Sequence, residues 1–261
     1  MAVSVYEINR MTEKERERLL SVLVPSHFLE LFSIDRGTWV NPAGVRCVRF
    51  ICPEGMPFFQ IDLRRDPADR DAAYFLDVSV NPYGQMEISF IIVNDPDGER
   101  FDIDVDEHGQ DTYFGTARRN LPEEIRAMEA GLAPAQVRRG LRAMGDLIAC
   151  WDEFFGSTGY RFYFLEPLSY NSAILYERGG FQYVKGKEKM DHIDREFHPG
   201  GIFHARLDGS TPFRKPDNWK TVRGRSWAIH DGILDEPWES PKMYKTIGAH
   251  GGVCTFTGER Y

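Results

Sequence analysis

Glu166 occupies a position that suits a general base or a substrate contact. It follows an aromatic-rich run over residues 161–165 that reads as a β-strand, and Pro167 after it favours a loop. A carboxylate at the end of a strand would lie at the mouth of the crevice in which sheets bind ligands, where it could accept a proton from a substrate. A solvated residue at a strand end is the other interpretation.

Three aspartates supply a second candidate for acid–base chemistry. Asp102, Asp104 and Asp106 alternate with apolar residues. Because successive side chains of a strand point to opposite faces, a strand through this stretch would direct all three carboxylates to one face. They could attract a protonated amine, or raise one another's pKa and provide a base. A solvated strand face explains the same pattern.

A histidine cluster is the third group with ligand chemistry. His192, Glu196 and His198 lie close together, with Asp191 and Asp194 beside them. Imidazole and carboxylate groups bind metals, but this spacing fits no standard zinc pattern, and the flanking residues lack clear helical periodicity. We therefore predict no metal site.

The composition describes an acidic, globular protein. The chain has 261 residues, is 42% hydrophobic and carries a formal net charge of -8, with a pI near 5.4. Nucleic acids and anionic membranes require a positive field, so we predict neither as a partner. The same negative charge would favour a cationic substrate.

The sequence also bears on the compartment. The cysteines are scattered without a Cys-x-x-Cys pair, which indicates buried thiols rather than a zinc ribbon or a disulfide framework. Glu7, Arg10 and Glu13 occupy the stretch in which a signal peptide needs an apolar core. Apolar runs such as residues 90–93 are too short to span a bilayer. We therefore expect a cytoplasmic protein.

The elements that must position these residues change character near residue 46. Before it, residues 3–8 read as a strand, and Thr12 with Glu15 form a capping box for a helix to about residue 23. A short helix over residues 28–32 follows. Strands are then predicted over residues 46–51, 58–63, 73–80, 85–93 and 100–105. Turn-forming residues separate them, which predicts an antiparallel meander.

A strand, a short helix and a second strand are predicted between residues 161 and 184. Ser169 can cap the helix, and Gly179 and Gly180 can end it with a left-handed residue. Ahead of this segment, residues 107–131 are longer than a compact fold requires. Leu121 begins a short helix there, which either borders a substrate cleft or decorates the surface.

The strand–helix–strand segment resembles the end of the N-acetyltransferase domain of the GNAT superfamily. Leu175, Tyr176, Gly180 and Phe181 match its signature, roughly Asn-x-x-Ala-x-x-Leu-Tyr-x-x-x-Gly-Phe. The resemblance implies an α/β fold with a GNAT-like mixed, mostly antiparallel central sheet flanked by helices. It would cover most of residues 1–185, followed by an ordered extension over residues 186–261.

The resemblance implies a reaction as well. An acetyl or other acyl group would pass from coenzyme A to a small amine, with acetyl-CoA as co-substrate and direct attack on the thioester. Tyr176 would protonate the departing thiolate, and Glu166 is the first choice of base, ahead of Glu87 and the aspartates. The alternative is a GNAT-like scaffold that no longer catalyses and serves as a binding or assembly module.

Cofactor contacts are implied in two places. The family holds the pyrophosphate of acetyl-CoA on the amides of a glycine-containing turn at a helix N-terminus. The matching residues are Arg138, Arg139, Gly140 and Arg142. Ser169 stands where the family often has Asn, and Asn171 follows two residues later, so both are candidate contacts. A continuous helix over residues 134–155 is the other interpretation of the first stretch, and the arginines would then lie on a solvated face.

The extension is rich in aromatic residues. Trp219, Trp227, Trp238 and Tyr244 carry too much apolar area to be left in water, so we expect the segment to dock, although its Gly and Pro clusters predict few regular elements. Docking could add strands to the sheet, close over the cleft, or cross to a second subunit. These three alternatives stay open, and a homodimer is therefore one of the partners considered.

Overall fold

The computed structural model describes residues 2–113, 115 and 117–258. The helices are α1 (Val5–Arg10), α2 (Glu13–Leu20), α3 (Ser26–Leu31), α4 (Leu121–Glu129), α5 (Met144–Ser157), α6 (Tyr170–Arg178), α7 (Lys187–Phe197), α8 (Ile202–Ala205) and α9 (Val222–His230). The strands are β1 (Val48–Ile51), β2 (Phe58–Leu63), β3 (Tyr74–Val80), β4 (Met86–Val93), β5 (Phe162–Leu165), β6 (Gln182–Lys185) and β7 (Lys242–Thr246). Short 3-10 turns cover Ser21–Leu23 and Pro216–Lys220.

Within the described residues, one sheet contains seven strands in the order β1-β2-β3-β4-β5-β7-β6. Strands β1 to β4 pair antiparallel with their sequence neighbours, whereas β4 and β5 pair in parallel. The tight connection between β3 and β4 uses Gly84 at φ +74°, a conformation that glycine adopts without strain. The predicted fold class, α/β with a mixed and mostly antiparallel sheet flanked by helices, is confirmed.

The meander contains the four predicted strands β1 to β4, but the fifth, over residues 100–105, is wrong. Phe101 and Ile103 are buried, as the alternation requires. The guanidinium of Arg100 donates hydrogen bonds to the carboxylates of Asp102 and Asp104. No β-ladder forms along this stretch of the described chain. Alternation identifies the side that faces a core, and it does not guarantee a partner strand.

The N-terminal strand predicted over residues 3–8 is also wrong, because this segment is helix α1. The side chain of Ser4 accepts a hydrogen bond from the amide of Glu7, and the Glu7 carboxylate accepts one from the amide of Ser4. Val5 and Ile8, three residues apart, are both buried. The capping box predicted for α2 from Thr12 and Glu15 is confirmed.

The continuous helix over residues 134–155 is wrong in its first half. Helix α5 begins only at Met144. Ala135 and Arg142 have φ values of +66° and +57°, which a right-handed helix cannot accommodate. An irregular loop therefore precedes α5. The predicted helix at Leu121 is confirmed as α4; residues 114 and 116 of that insertion lie outside the described part of the chain.

The chain divides into two compact units. Unit 1 comprises residues 1–97, 140–165 and 244–250, and unit 2 comprises residues 98–139, 166–243 and 251–261. These boundaries differ from a division at residue 185, which stays a prediction drawn from the family resemblance.

Each unit has its own aromatic core. In unit 1, the rings of Phe155 and Tyr163 stack at a centroid distance of 4.4 Å. In unit 2, Phe213 stacks on Trp227 at 5.3 Å, and the indole N–H of Trp227 donates to the carbonyl of Leu132. Aromatic pairs of this kind add to the stabilisation that apolar burial provides.

The C-terminal segment contains more regular structure than its sequence predicted. Helices α7 and α9 are well formed, and Met190, Ile193 and Phe197 give α7 a buried face. The segment also supplies β7 to the sheet, which is the first of the three docking alternatives. None of the helices in the described chain combines the length and apolar character needed to cross a bilayer.

Candidate functional site

The predicted site residues fall in both units. Gly140 and Arg142 belong to unit 1; Arg138, Arg139, Glu166, Ser169, Asn171 and Tyr176 belong to unit 2. The geometry is therefore described one unit at a time.

In unit 1, the parallel ladder between β4 and β5 is short. Glu87 pairs with Phe164 and Ile88 pairs with Leu165, where β5 ends, whereas β4 continues to Val93. A register shift opposite β3 leaves Ser89 as an extra residue of β4, because Val78 faces Ile88 and Asp77 faces Phe90. Bulges of this kind bend a strand and increase its twist. The parallel pairing ends where β5 ends, opposite Ile88, and the rest of β4 continues beyond it.

Beyond the end of β4, the loop before α5 approaches the strand closely. A side-chain carbon at Gly140 would come within 3.3 Å of the carbonyl oxygen of Val93. Ala143 is the N-cap of α5 and has no side-chain oxygen to accept hydrogen bonds from the first-turn amides. The start of α5 thus presents backbone N–H groups and the positive end of the helix dipole.

One acidic residue, Asp146, makes the electrostatic potential at the start of α5 less positive. Asp146 lies in the first turn of α5, and its carboxylate is 3.1 Å from Nδ1 of His27. An acid there stabilises the helix but opposes a bound anion, and a protonated His27 would offset that charge. Arg142, directly before α5, is exposed.

In unit 2, the predicted motif helix is present as α6. Ser169 is its N-cap residue, but its side chain caps no backbone amide, and its hydroxyl lies 2.8 Å from that of Ser172 instead. Gly180 follows the helix at φ +89°, so the predicted left-handed glycine is present. Strand β6 begins two residues later.

Tyr176 lies on the inner face of α6. It is 6% exposed, and its ring centroid is 5.2 Å from that of Phe181. The motif positions Tyr176 and Phe181 are therefore packed against each other.

Glu177, the residue after Tyr176, is a buried carboxylate that the sequence analysis did not select as a candidate. It is 1% exposed and accepts hydrogen bonds from the Tyr183 hydroxyl and from the amide and hydroxyl of Thr255. Burial, followed by the negative charge of Glu177, raises the pKa of Tyr183. This cluster joins α6, β6 and the segment after β7 within unit 2.

Glu166, the predicted base, is about half exposed and forms an ion pair with Lys242 at 3.2 Å. Exposed pairs of this type are weak, so the carboxylate can exchange its partner for a substrate cation. Glu87, the second choice, belongs to β4 in unit 1.

The three arginines predicted to contact the pyrophosphate, Arg138, Arg139 and Arg142, are divided between the two units. A guanidinium N–H of Arg138 donates to the carbonyl of Gly98, and Arg139 donates to the carbonyl of Ala130 at 3.1 Å, so both hold the irregular chain of unit 2. Only Arg142 adjoins the start of α5 within unit 1. A role in phosphate binding for Arg138 and Arg139 would require these contacts to be exchanged.

Asn171 is also engaged. It is buried, and its side-chain oxygen accepts a hydrogen bond from the Ser226 hydroxyl at 2.7 Å. Beside it, the guanidinium of Arg225 is 1% exposed and pairs with Asp194 at 2.6 Å. These bonds between α6, α7 and α9 were missed, because partners so far apart in the chain leave no local pattern.

The side chains of His192, Glu196 and His198 do not meet at a common metal-binding position. His192 bonds to Arg195, whereas Nδ1 of His198 lies 2.7 Å from the backbone oxygen of Asp194. The Glu196 carboxylate accepts the amide of Ile202. Among the described residues, no group of three His, Cys, Asp or Glu side chains is arranged to hold a metal ion.

A further buried polar cluster in unit 2 surrounds Glu124. This carboxylate lies 3.1 Å from Nε2 of His230 and accepts hydrogen bonds from Arg119, which also binds Asp231. Burial alone would raise the pKa of Glu124, but the hydrogen bonds from His230 and Arg119 outweigh it and lower that pKa. The cluster ties α4 to the end of α9.

Comparisons with models of known families, with curated proteins and with solved structures find no match for this chain.

Proposed function

We propose that this protein is an acyl-CoA-dependent N-acyltransferase that transfers an acetyl group to a small amine. The observation that carries the proposal is the early end of the β4–β5 ladder in unit 1, together with the Gly140 loop at the end of β4 and the start of α5, which lacks a side-chain cap. Ligands of open α/β sheets bind in the crevice outside the carboxyl ends of the strands.

Coenzyme A has groups that could bind both the part of β4 beyond its ladder with β5 and the start of α5. Its pantetheine arm is extended and carries amide groups, which can pair with a strand backbone as an added strand would. Its pyrophosphate can accept hydrogen bonds from the free amides at the start of α5. Gly140 supports this contact, because it allows the loop to lie against Val93.

The motif helix supports the same reaction. Tyr176 packs on Phe181, and Gly180 follows α6 in the left-handed conformation, which is compatible with the GNAT resemblance. In the proposed reaction Tyr176 would protonate the thiolate of coenzyme A. Glu166 would accept the amine proton, either directly or through water. The amine attacks the thioester carbon, and coenzyme A leaves as the thiol.

The thiols favour a reducing, cytoplasmic location for this activity. Cys47, Cys52, Cys150 and Cys254 are all free, but only Cys47 is buried and Cys254 is exposed, so the expectation of buried thiols is wrong for most of them. Burial raises the pKa of the Cys52 thiol to about 11, so it remains protonated and unreactive at neutral pH. Free thiols persist in reducing compartments.

Calorimetric titration with acetyl-CoA and coenzyme A tests the proposal. Saturable binding that weakens with added salt is expected, together with a rise in melting temperature at saturating ligand. If neither ligand produces heat or a change in melting temperature, the enzymatic proposal fails and the non-catalytic scaffold replaces it.

Gly145 offers a matched pair of variants for the same titration. It lies in the first turn of α5, and a side-chain carbon there would meet no atom within 4 Å. Gly145→Asp adds a negative charge where the pyrophosphate would bind, and should weaken acetyl-CoA binding about tenfold. Gly145→Ala adds the carbon without the charge, and should leave binding within about twofold. Equal affinity of both variants would exclude this helix N-terminus as the phosphate site.

A further inference from the structure

Unit 2 contains a cavity of about 470 Å³ that the proposed reaction does not use. It is lined by the end of β6, the first turn of α7 and residues 238–241. Its volume lies within the range of small-molecule binding sites.

Three lysines give the cavity a cationic side. Lys185, Lys187 and Lys189 line it, together with the acids Glu188 and Glu239. Lys185 pairs with Glu239 at 2.8 Å, and Lys187 pairs with Asp191 at 2.7 Å. Both pairs are exposed and therefore contribute little, so a dianionic ligand can replace the carboxylates.

Lys189 differs from the other two. Its ammonium group lies 5.9 Å from the centre of the Trp238 ring and 3.3 Å from the carbonyl oxygen of Pro237. These contacts hold the charge at the cavity wall, beside an aromatic surface. A ligand that combines an anion with a ring would meet both groups.

The backbone of the cavity-lining residues adds hydrogen-bond donors. Met190 donates the first intrahelical bond of α7, to the carbonyl of Gly186, so the amides of residues 187–189 precede the helical ladder. Gly186 has φ +97°, and a side-chain carbon there would lie 2.7 Å from Cβ of Pro241. Glycine is therefore required for β6 to turn into α7 against the opposite wall.

We propose that this cavity binds a small phosphate ester with an aromatic body. The phosphate would accept hydrogen bonds from Lys187, Lys189 and the first-turn amides of α7. The ring would lie against Trp238, Met190 and Pro241, which supply the apolar wall. A phosphate fits better than a carboxylate, because its greater charge and third oxygen use more of these donors.

Calorimetric titration of the complete chain with phenyl phosphate tests the proposal, with benzoate as the carboxylate counterpart. Phenyl phosphate should bind at one site per chain and more tightly than benzoate. Lys189→Gln should weaken this binding about tenfold, because it removes one charge-assisted contact. Gly186→Ala, which crowds Pro241, should abolish it.

Lys220 provides the matched control. Its ammonium group also lies 5.9 Å from an indole centre, that of Trp219, but it does not line the cavity. Lys220→Gln should leave phenyl phosphate binding within about twofold. Absence of saturable binding, benzoate affinity equal to that of phenyl phosphate, or equal losses in the two lysine variants would each overturn the proposal.

The outcome is separable from that of the acyltransferase proposal. Gly145→Asp, which targets the start of α5, should not change phenyl phosphate binding. If acetyl-CoA failed to bind while phenyl phosphate bound as described, the cavity proposal would stand alone.

Discussion

Tyr176 allows the proposed chemistry to be tested at a single oxygen atom. Tyr176→Phe keeps the ring that packs on Phe181 and removes only the hydroxyl. If this hydroxyl protonates the thiolate, turnover of acetyl-CoA and amine should fall by roughly 10²-fold or more, while the melting temperature changes little. Steady-state kinetics and thermal unfolding provide the two readings.

Tyr160→Phe, a tyrosine of unit 1 outside the motif, is the control and should retain full turnover. Equal turnover of Tyr176→Phe and the unmodified chain would make Tyr176 a packing residue. A large loss of melting temperature would instead assign its hydroxyl to a buried hydrogen bond.

Glu124 determines part of the response to acid. Its pKa lies below the ordinary value of 4.5, because the bonds from His230 and Arg119 favour the carboxylate. A lowered pKa gives stability that is present above pH 4.5 and is lost as the pH falls from there through the folded-state pKa. Glu124→Gln should cost roughly 1.5 to 3 kcal/mol at neutral pH.

Urea unfolding at several pH values measures this effect. The difference in unfolding free energy between Glu124→Gln and the unmodified chain should shrink as the pH decreases below 4.5. A difference that is independent of pH would mean that the carboxylate contributes through packing rather than through charge.

At the scale of elements, the capping box of α2 is a measurable contribution. The Thr12 side chain accepts from the amide of Glu15, and the Glu15 carboxylate accepts from the amide and hydroxyl of Thr12. Thr12→Ala should lower the unfolding free energy by roughly 0.5 to 2 kcal/mol. Thr12→Ser retains the oxygen and should lose little in the same denaturant titration. Equal losses in both variants would remove the cap as the cause.

The sequence predicted elements well where short-range patterns decide them. Strand β2 and the start of α2 follow from alternation and from capping. Two errors could have been avoided from the sequence. The strand predicted over residues 3–8 ignored that Ser4 and Glu7 repeat the capping-box spacing of Thr12 and Glu15. Helix α7 was missed although Met190 and Ile193 have helical spacing.

The remaining errors depended on distant partners. Residues 100–105 alternate correctly, but no ladder completes a strand in the described chain. His230 and Glu124 are 106 positions apart, and their contact exists only in the folded chain. For the candidate site, the sequence predicted the motif helix and its glycine end, but not the partners of Asn171.

At the scale of the whole molecule, the position of β7 in the sheet predicts the effect of truncation. β7 lies between β5 and β6, so deletion of residues 242–261 removes an internal strand and leaves unpaired edges. The shortened chain should be insoluble or aggregated, as measured by size-exclusion chromatography beside the full chain. A soluble, monomeric product with an unchanged circular dichroism spectrum would contradict this expectation.

The side chain of Lys245 in β7 has a consequence for protein synthesis. It is 4% exposed and donates hydrogen bonds to Asp152 and to the carbonyl of Ala249. Lys245 follows Asp152 by 93 positions, and ribosomes add roughly 5 to 20 residues per second. In the nascent chain, about 5 to 20 seconds therefore pass between the synthesis of Asp152 and that of Lys245, its partner in the ion pair. Strand β5 likewise lacks its neighbour β7 until residues 242–246 have been synthesised, so one of its edges stays unpaired over about the same interval.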